Sequence, residues 1–315
     1  MEFLREKVKR KTTGFHKNKL SEYLQCYGLI LPQFIGLFVF TLYPVLWVFK
    51  YVWYDFDGVN AVFTGLENLI RVFTRDVEYW KSLVNTFVIS FGKLIIELPL
   101  ALVAAVVVNS QIRGKTVFRM IFYMPNVISA AIIGVVFSFL FSSFDGIVNA
   151  LLQWVGMIDA PINWFGSKWT ATAVIVTASI WQGFGVNMLF FLSGLVNIPR
   201  ELYECSSIDG ASKLQQFFRI TIPMLAPVLQ IICMLAMING IKIMDMVLVL
   251  TNGQPAGSTE VVMTYLFKKF FAFGGAGTAV PQVGYACALG LVTSVIIAIM
   301  TCIYLYVTKR MQSID

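Results

Sequence analysis

The stretch "ELYECSSIDGASKLQQFFRITIPML", Glu201 to Leu225, decides how the chain is read. It carries Glu201, Glu204, Asp209, Lys213 and Arg219 within about five turns of helix, yet strongly apolar sequence lies on both sides of it. Pro199 suits a first helical turn. Gly210, after Ile208 and Asp209, reads as a break, because glycine tolerates the left-handed conformation that ends a helix. A restart through Ala211 to Phe218 sets Leu214, Phe217 and Phe218 on one apolar face, and Pro223 marks the start of the next apolar run. The spacing predicts a short helix, a turn and a second helix, a shape that presents a rigid knob to a partner.

Working outward, the composition fixes the solvent. The 315 residues are 58% hydrophobic and only 13% charged, with mean hydropathy +0.76, whereas soluble domains carry roughly 25% charged residues. The chain reads as an all-α integral membrane protein. A helical span needs roughly 20 apolar residues, and six windows qualify: about 24–53, 83–108, 120–142, 169–195, 223–250 and 283–307. Helices are required because lipid offers no partner to a free backbone amide. The first apolar run is too long for a signal-peptide core and follows a basic tail.

With six spans both termini share a side, and Lys and Arg decide which. One side holds Arg5, Lys7, Lys9, Arg10, Lys11, Lys17, Lys19, Arg113, Lys115, Arg119, Arg200, Lys213, Arg219, Lys309 and Arg310, fifteen in all; the other holds Arg71, Arg75, Lys81, Lys168, Lys268 and Lys269, which is six. The positive-inside rule makes the first side cytoplasmic, with the opening stretch on it. The organisation expected is a basic cytoplasmic tail (1–23), a six-helix domain (24–307) and a short cytoplasmic C-terminus (308–315). The net charge of +7 is thereby topological, and nucleic acid is not an expected partner.

Residues 203–223, "YECSSIDGASKLQQFFRITIP", resemble the cytoplasmic signature of ATP-binding-cassette importer permeases: E-A-A, three residues, G, nine residues, I, any residue, L-P. Glu204 is the acid, Cys205 and Ser206 replace the alanines, Gly210 is the glycine, Ile220 follows at the family spacing, and Ile222-Pro223 replaces Leu-Pro. "WQGFGVNMLFFLSGLVNIPRELYE", "FTGLENLIRVF", "FRMIFYMPNVISA" and "LVLTNGQPAGSTE" are similar to segments of the carbohydrate-importer permeases on the maltose-permease side, so the resemblance runs from about residue 25 to the C-terminus. The first external loop, about 54–82, is too short for the folded periplasmic insert of the enterobacterial maltose subunit.

The resemblance implies a type I ABC importer permease fold with a cytoplasmic coupling helix in the loop 199–222. Glu204, Cys205, Ser206, Asp209, Gly210, Ala211, Ile220 and Pro223 would then couple this chain to a separate ATPase, with Glu204 meeting the ATPase and Gly210 making the turn. It also implies a second homologous permease, two copies of the ATPase, an extracytoplasmic solute-binding protein and a sugar substrate of di- or oligosaccharide size. ATP and Mg would belong to the ATPase; this chain would bind no cofactor, catalyse nothing and reside in the cytoplasmic membrane.

Intramembrane polar groups are costly and mark function by default. Ser179, Gln182, Gly183 and Val186 share one helical face, and Ala236, Asn239, Gly240 and Ile243 repeat the spacing. These positions match those lining the sugar site in the maltose-type relatives. The amides of Gln182 and Asn239 suit hydroxyls, and Trp181 offers an apolar face. Hydrogen bonding and close packing between helices explain the same pattern. Lys93 and Glu97 read as an i, i+4 ion pair, Lys242 and Asp245 as an i, i+3 pair or, with Lys242 facing a cavity, as the contact for an anionic sugar or phosphoester. Asn187 is expected against a neighbouring helix. The segment 251–282 reads as a receptor for a loaded binding protein or as a mobile connector.

Other classes lack material. Gly114-Lys115-Thr116 imitates the end of a phosphate loop, but the required first glycine falls at Asn109 and no strand precedes it. Five scattered cysteines without CxxC spacing and a single His16 read as packing residues, not metal ligands. No HExxH or GxSxG constellation supports an intramembrane enzyme. An ion-coupled secondary carrier using Glu97 or Asp245 is the competing class, but the halves show no inverted repeat.

Overall fold

The computed structural model describes residues 23–110, 113–272 and 280–312; the basic tail, His16 and the end of the C-terminus lie outside them. The first span, α1 (Tyr23–Tyr51), leads into a hairpin of β1 (Tyr54–Phe56) and β2 (Ala61–Phe63), then α2 (Glu67–Thr74) and the long α3 (Val77–Asn109). α4 (Lys115–Val127), α5 (Ala130–Leu140) and α6 (Ile147–Trp154) precede the second long span, α7 (Lys168–Val196). α8 (Arg200–Ile208), α9 (Lys213–Ile241), α10 (Asp245–Leu250), α11 (Val262–Phe271) and α12 (Val283–Gln312) complete the order.

α3 and α7 run side by side in the same direction and organise three buried clusters from one end to the other. Tyr79 and Leu83 of α3 join Val283, Tyr285 and Leu289 of α12 in the first. Ile89 meets Val174, Ile175 and Ala178 of α7 in the second, with Ile133 and Phe137 of α5 and Met246, Val247 and Leu250 of α10. Leu98, Ala101, Ala105 and Val108 meet Met188, Phe191, Leu192 and Leu195 in the third, closed by Leu225 and Ile232 of α9. At Gly185 α7 approaches α4 so closely that a Cβ would overlap the carbonyl oxygen of Phe122. Only glycine permits that crossing.

Among the described residues five helices are long and apolar enough to span a membrane, and six if the pair α4–α5, which occupies the third expected window, 120–142, and is bent by 95°, is one span. Pro125 lies one turn before the bend, and its missing N–H and bulky ring weaken the helix there. Ile128 and Ser129 are extended. The Ile128 carbonyl thus freed accepts a hydrogen bond from Gln182 Nε2 at 3.2 Å, which lipid could not supply.

The fifth window, 223–250, is corrected. α9 begins at Lys213, ten residues early, and stops at Ile241; three non-helical residues separate it from α10. It passes Pro223 through a π turn, Phe217–Thr221, where Ile222 N–H reaches the Phe217 carbonyl. α1 does the same before Pro44, with π turn Phe38–Leu42. The wider turn makes room where a proline ring would crowd a carbonyl of the preceding turn.

The hairpin departs from an all-α expectation. Asp57 accepts hydrogen bonds from the Val59 and Asn60 amides at 2.8 and 2.6 Å, and Gly58 takes φ +102°. These bonds, that from the Asn60 amide foremost, hold the Asp57 carboxyl below the usual carboxylate range. Nearby, Asp76 caps α3 by accepting from Tyr79 N–H at 3.0 Å and also accepts from the hydroxyls of Tyr265 and Tyr285, tying α3 to α11 and α12. Burial, and then its bond to Asp76, push the Tyr265 hydroxyl well above its ordinary value.

Candidate functional site

Two features converge on chemistry: a loop at one end of the bundle and a cleft between its helices. In the loop, α8 ends in a Schellman arrangement. Gly210 adopts φ +79°, its N–H bonds to the Ser207 carbonyl at 3.2 Å, and Ala211 N–H bonds to the Ser206 carbonyl at 2.9 Å. Ser212 then caps α9 with a reciprocal capping box to Gln215. The helix restarts at Lys213, two residues later than expected, because Ser212 supplies the cap.

Gln216, which the sequence reading passed over, locks the two helices together. It is 3% exposed, and its Nε2 donates to the Tyr203 carbonyl at 3.2 Å and lies 3.0 and 2.8 Å from the hydroxyls of Ser206 and Ser207. Tyr203 and Thr221 hydroxyls pair at 2.9 Å. The corner is therefore rigid. Glu204, Cys205, Asp209 and Gly210 are exposed on it, and Ser206 and Ala211 are half-buried. Ile220 is half-buried against the third cluster and Pro223 lies inside α9, so the last two signature positions belong to the anchor, not to the exposed surface. Ile208 at 85%, Leu214 at 68% and Phe218 at 58% exposure give that surface an apolar character which nothing among the described residues covers.

The cleft, about 180 Å³, lies where α3, α7 and the α9–α10 break meet. Ser179, Gln182, Asn239, Gly240 and Ile243 line it, together with Lys93, Ala130, Lys242, Asp245 and two methionines. Three other candidates point elsewhere. Gly183 faces the ion pair, where a Cβ would lie 2.6 Å from Glu97 Oε1; Ala236 packs against the third cluster; Val186 does not line the cleft. Helical spacing set four of the eight candidates on one face of each span, whereas the neighbouring helix α3 covers part of each face. Trp181 packs on Phe137 at 5.8 Å and is also outside the cleft.

Lys93 Nζ and Glu97 Oε2 pair at 3.4 Å, and Asn187 of α7 donates to Glu97 Oε1 at 2.7 Å. Lys242 and Asp245 form no ion pair among the described residues. Their expected i, i+3 contact needs a continuous helix, and the helix is broken between them.

Beyond the break, the segment 251–261 is packed and not a loose connector. Thr259 is fully buried and donates to the Gln254 carbonyl at 2.7 Å; Asn85 donates to the Glu260 carbonyl at 3.1 Å, and Lys268 pairs with Glu260 at 2.6 Å.

A six-window chain with this bundle and this exposed corner has the build of a transport permease. The family model for the binding-protein-dependent transport system inner membrane component matches residues 97–313, and the chain belongs to that family. It is 30% identical to the lactose transport system permease protein LacF of Rhizobium radiobacter, over 93% of this chain and 98% of that one. It is 31% identical to the trehalose/maltose transport system permease protein MalF of Thermococcus litoralis, over 90% and 93%. A solved bacterial ABC transporter involved in import of the acidic polysaccharide alginate shares the fold, with TM-score 0.79 at 19% identity over 93% of this chain and 98% of that one.

Proposed function

We propose that this chain is one of two permease subunits of an ATP-driven, binding-protein-dependent sugar importer. It forms half of the translocation pathway, and both termini face the cytoplasm, with 1–23 and 308–315 flanking a membrane domain of 24–307. The observation that carries the reading is the signature spacing folded as a stapled, exposed corner joined without interruption to a span. Two ATPase subunits, which hold the ATP and Mg, would receive this corner and its counterpart on the second permease. Their closure would draw the two corners together and turn the spans from inward-facing to outward-facing, while a solute-binding protein delivers sugar at the opposite end. Sugar reaches the cleft lined by Ser179, Gln182 and Asn239. The names of the relatives support a carbohydrate, and an ion-coupled carrier gives no reason for the corner.

Purification in mild detergent through a tag on this chain tests the assembly. A Walker-motif ATPase and a second permease are expected to accompany it, and to be lost on Glu204→Lys or Gly210→Pro. A chain that purifies alone and still transports overturns the proposal.

A further inference from the structure

The charged groups around the cleft do not all cancel in pairs. Four bear on it: Lys93, Glu97, Lys242 and Asp245. Lys93 is committed to Glu97 at 3.4 Å, and Glu97, 1% exposed, is closed off by the Asn187 amide. Lys242 and Asp245 line the cleft, are exposed and have no ion-pair partner among the described residues.

The backbone explains why they stay apart. α9 ends at Ile241 and α10 begins at Asp245. Lys242 therefore sits at the carbonyl end of a long helix, which favours a cation, and Asp245 in the first turn of the next, which favours an anion. The break keeps the two apart, and each remains open to a guest. The polar groups beside them are of another kind. Ser179 Oγ is buried without a hydrogen-bond partner in a residue 3% exposed, and a buried hydroxyl left unpaired is unfavourable unless something completes it. Gln182 and Asn239 add amides.

Resting on the sugar-import reading above, we infer that the cleft takes a saccharide carrying an anionic oxyacid group, a uronate carboxylate or a phosphoester, with Lys242 as its counter-charge. Asp245, Ser179 and the two amides take sugar hydroxyls. A neutral sugar completes the carboxylate and the hydroxyl but offers Lys242 only a dipole, whereas an oxyacid group on the sugar gives it a charge-assisted hydrogen bond.

The test uses the assembled transporter with its binding protein in proteoliposomes. The external probe is an equimolar pool in which uronate-containing oligosaccharides are each paired with the carboxyl-reduced neutral counterpart, plus sugar phosphates. Vesicle contents are read by mass spectrometry. ATP-dependent enrichment of anionic members at least tenfold over neutral ones is expected, collapsing on Lys242→Gln and kept by Lys242→Arg. Whether uronates or sugar phosphates accumulate identifies the source of the charge. Enrichment of neutral members, or an anionic preference untouched by Lys242→Gln, overturns the inference and leaves sugar import standing. ATP-dependent entry of no member overturns the import reading and the inference with it.

Discussion

Glu97 illustrates what a single residue costs inside a membrane and how that cost is offset. The carboxylate has one oxygen near Lys93 and the other on Asn187, and Gly183 leaves it room. Removing one member of a buried pair strands the other's charge, at a cost of about 3–5 kcal/mol, whereas removing both is far milder. Lys93→Met is therefore expected to reduce the yield of folded, assembled transporter sharply, and Lys93→Met with Glu97→Gln to recover most of it; size-exclusion profiles of tagged protein decide. The i, i+4 spacing made the Lys93–Glu97 pair legible in the sequence. Asn187 was legible only as a polar residue facing another helix, because its partner lies 90 positions away. Lys242 and Asp245 show the opposite case: both were visible as polar residues, but their relation depended on a helix that stops between them.

At the scale of the element, proline was an ambiguous signal. Pro99 and Pro227 lie inside α3 and α9 without ending them, whereas Pro125 precedes a sharp bend. What differs is the tertiary partner, since Gln182 satisfies the carbonyl that the bend releases. The α8–α9 corner was readable in advance because Gly210 and the signature spacing are local. The Gln216 staple was not, since its acceptors become neighbours only after the chain turns. If the staple passes motion from the ATPase to α9, Gln216→Ala should leave the ATPase bound but loosen its control. ATP hydrolysis should then proceed with uptake per ATP reduced severalfold, and Gln216→Asn, which keeps the amide donor, should restore part of the ratio. Parallel assays of phosphate release and uptake on one preparation measure it; an unchanged ratio excludes the staple from coupling.

For the whole molecule, the arrangement of ends is a testable map. The hairpin, the α3 and α7 N-termini and the segment 251–261 share one end; the corner, the end of α3 and the start of α9 share the other. Positive-inside counting predicts a cytoplasmic corner, and labelling from each side tests it. In a chain whose other cysteines are replaced, Cys205 should react with a membrane-impermeant maleimide only in inside-out vesicles stripped of the ATPase. A cysteine at Val59, 87% exposed on the hairpin turn, should react only from the outside. The apolar windows disclosed most of this plan in advance; the bent pair and the broken fifth window did not appear, because hydropathy reports how apolar a stretch is and not which way its axis points.

The uninterrupted run of α9 gives the molecule a long stiff arm. Its 29 residues extend about 43 Å at the helical rise, from the cap at Ser212 to the break before Asp245. A tilt of only about 5° over that length displaces one end by about 4 Å relative to the other, roughly the width of a hydroxyl-lined gap around a sugar ring. The π turn and Pro227 lie along this arm, so on the importer reading proposed above its bending stiffness, and not the contact area of the corner alone, would set how much of an ATPase stroke reaches the cleft.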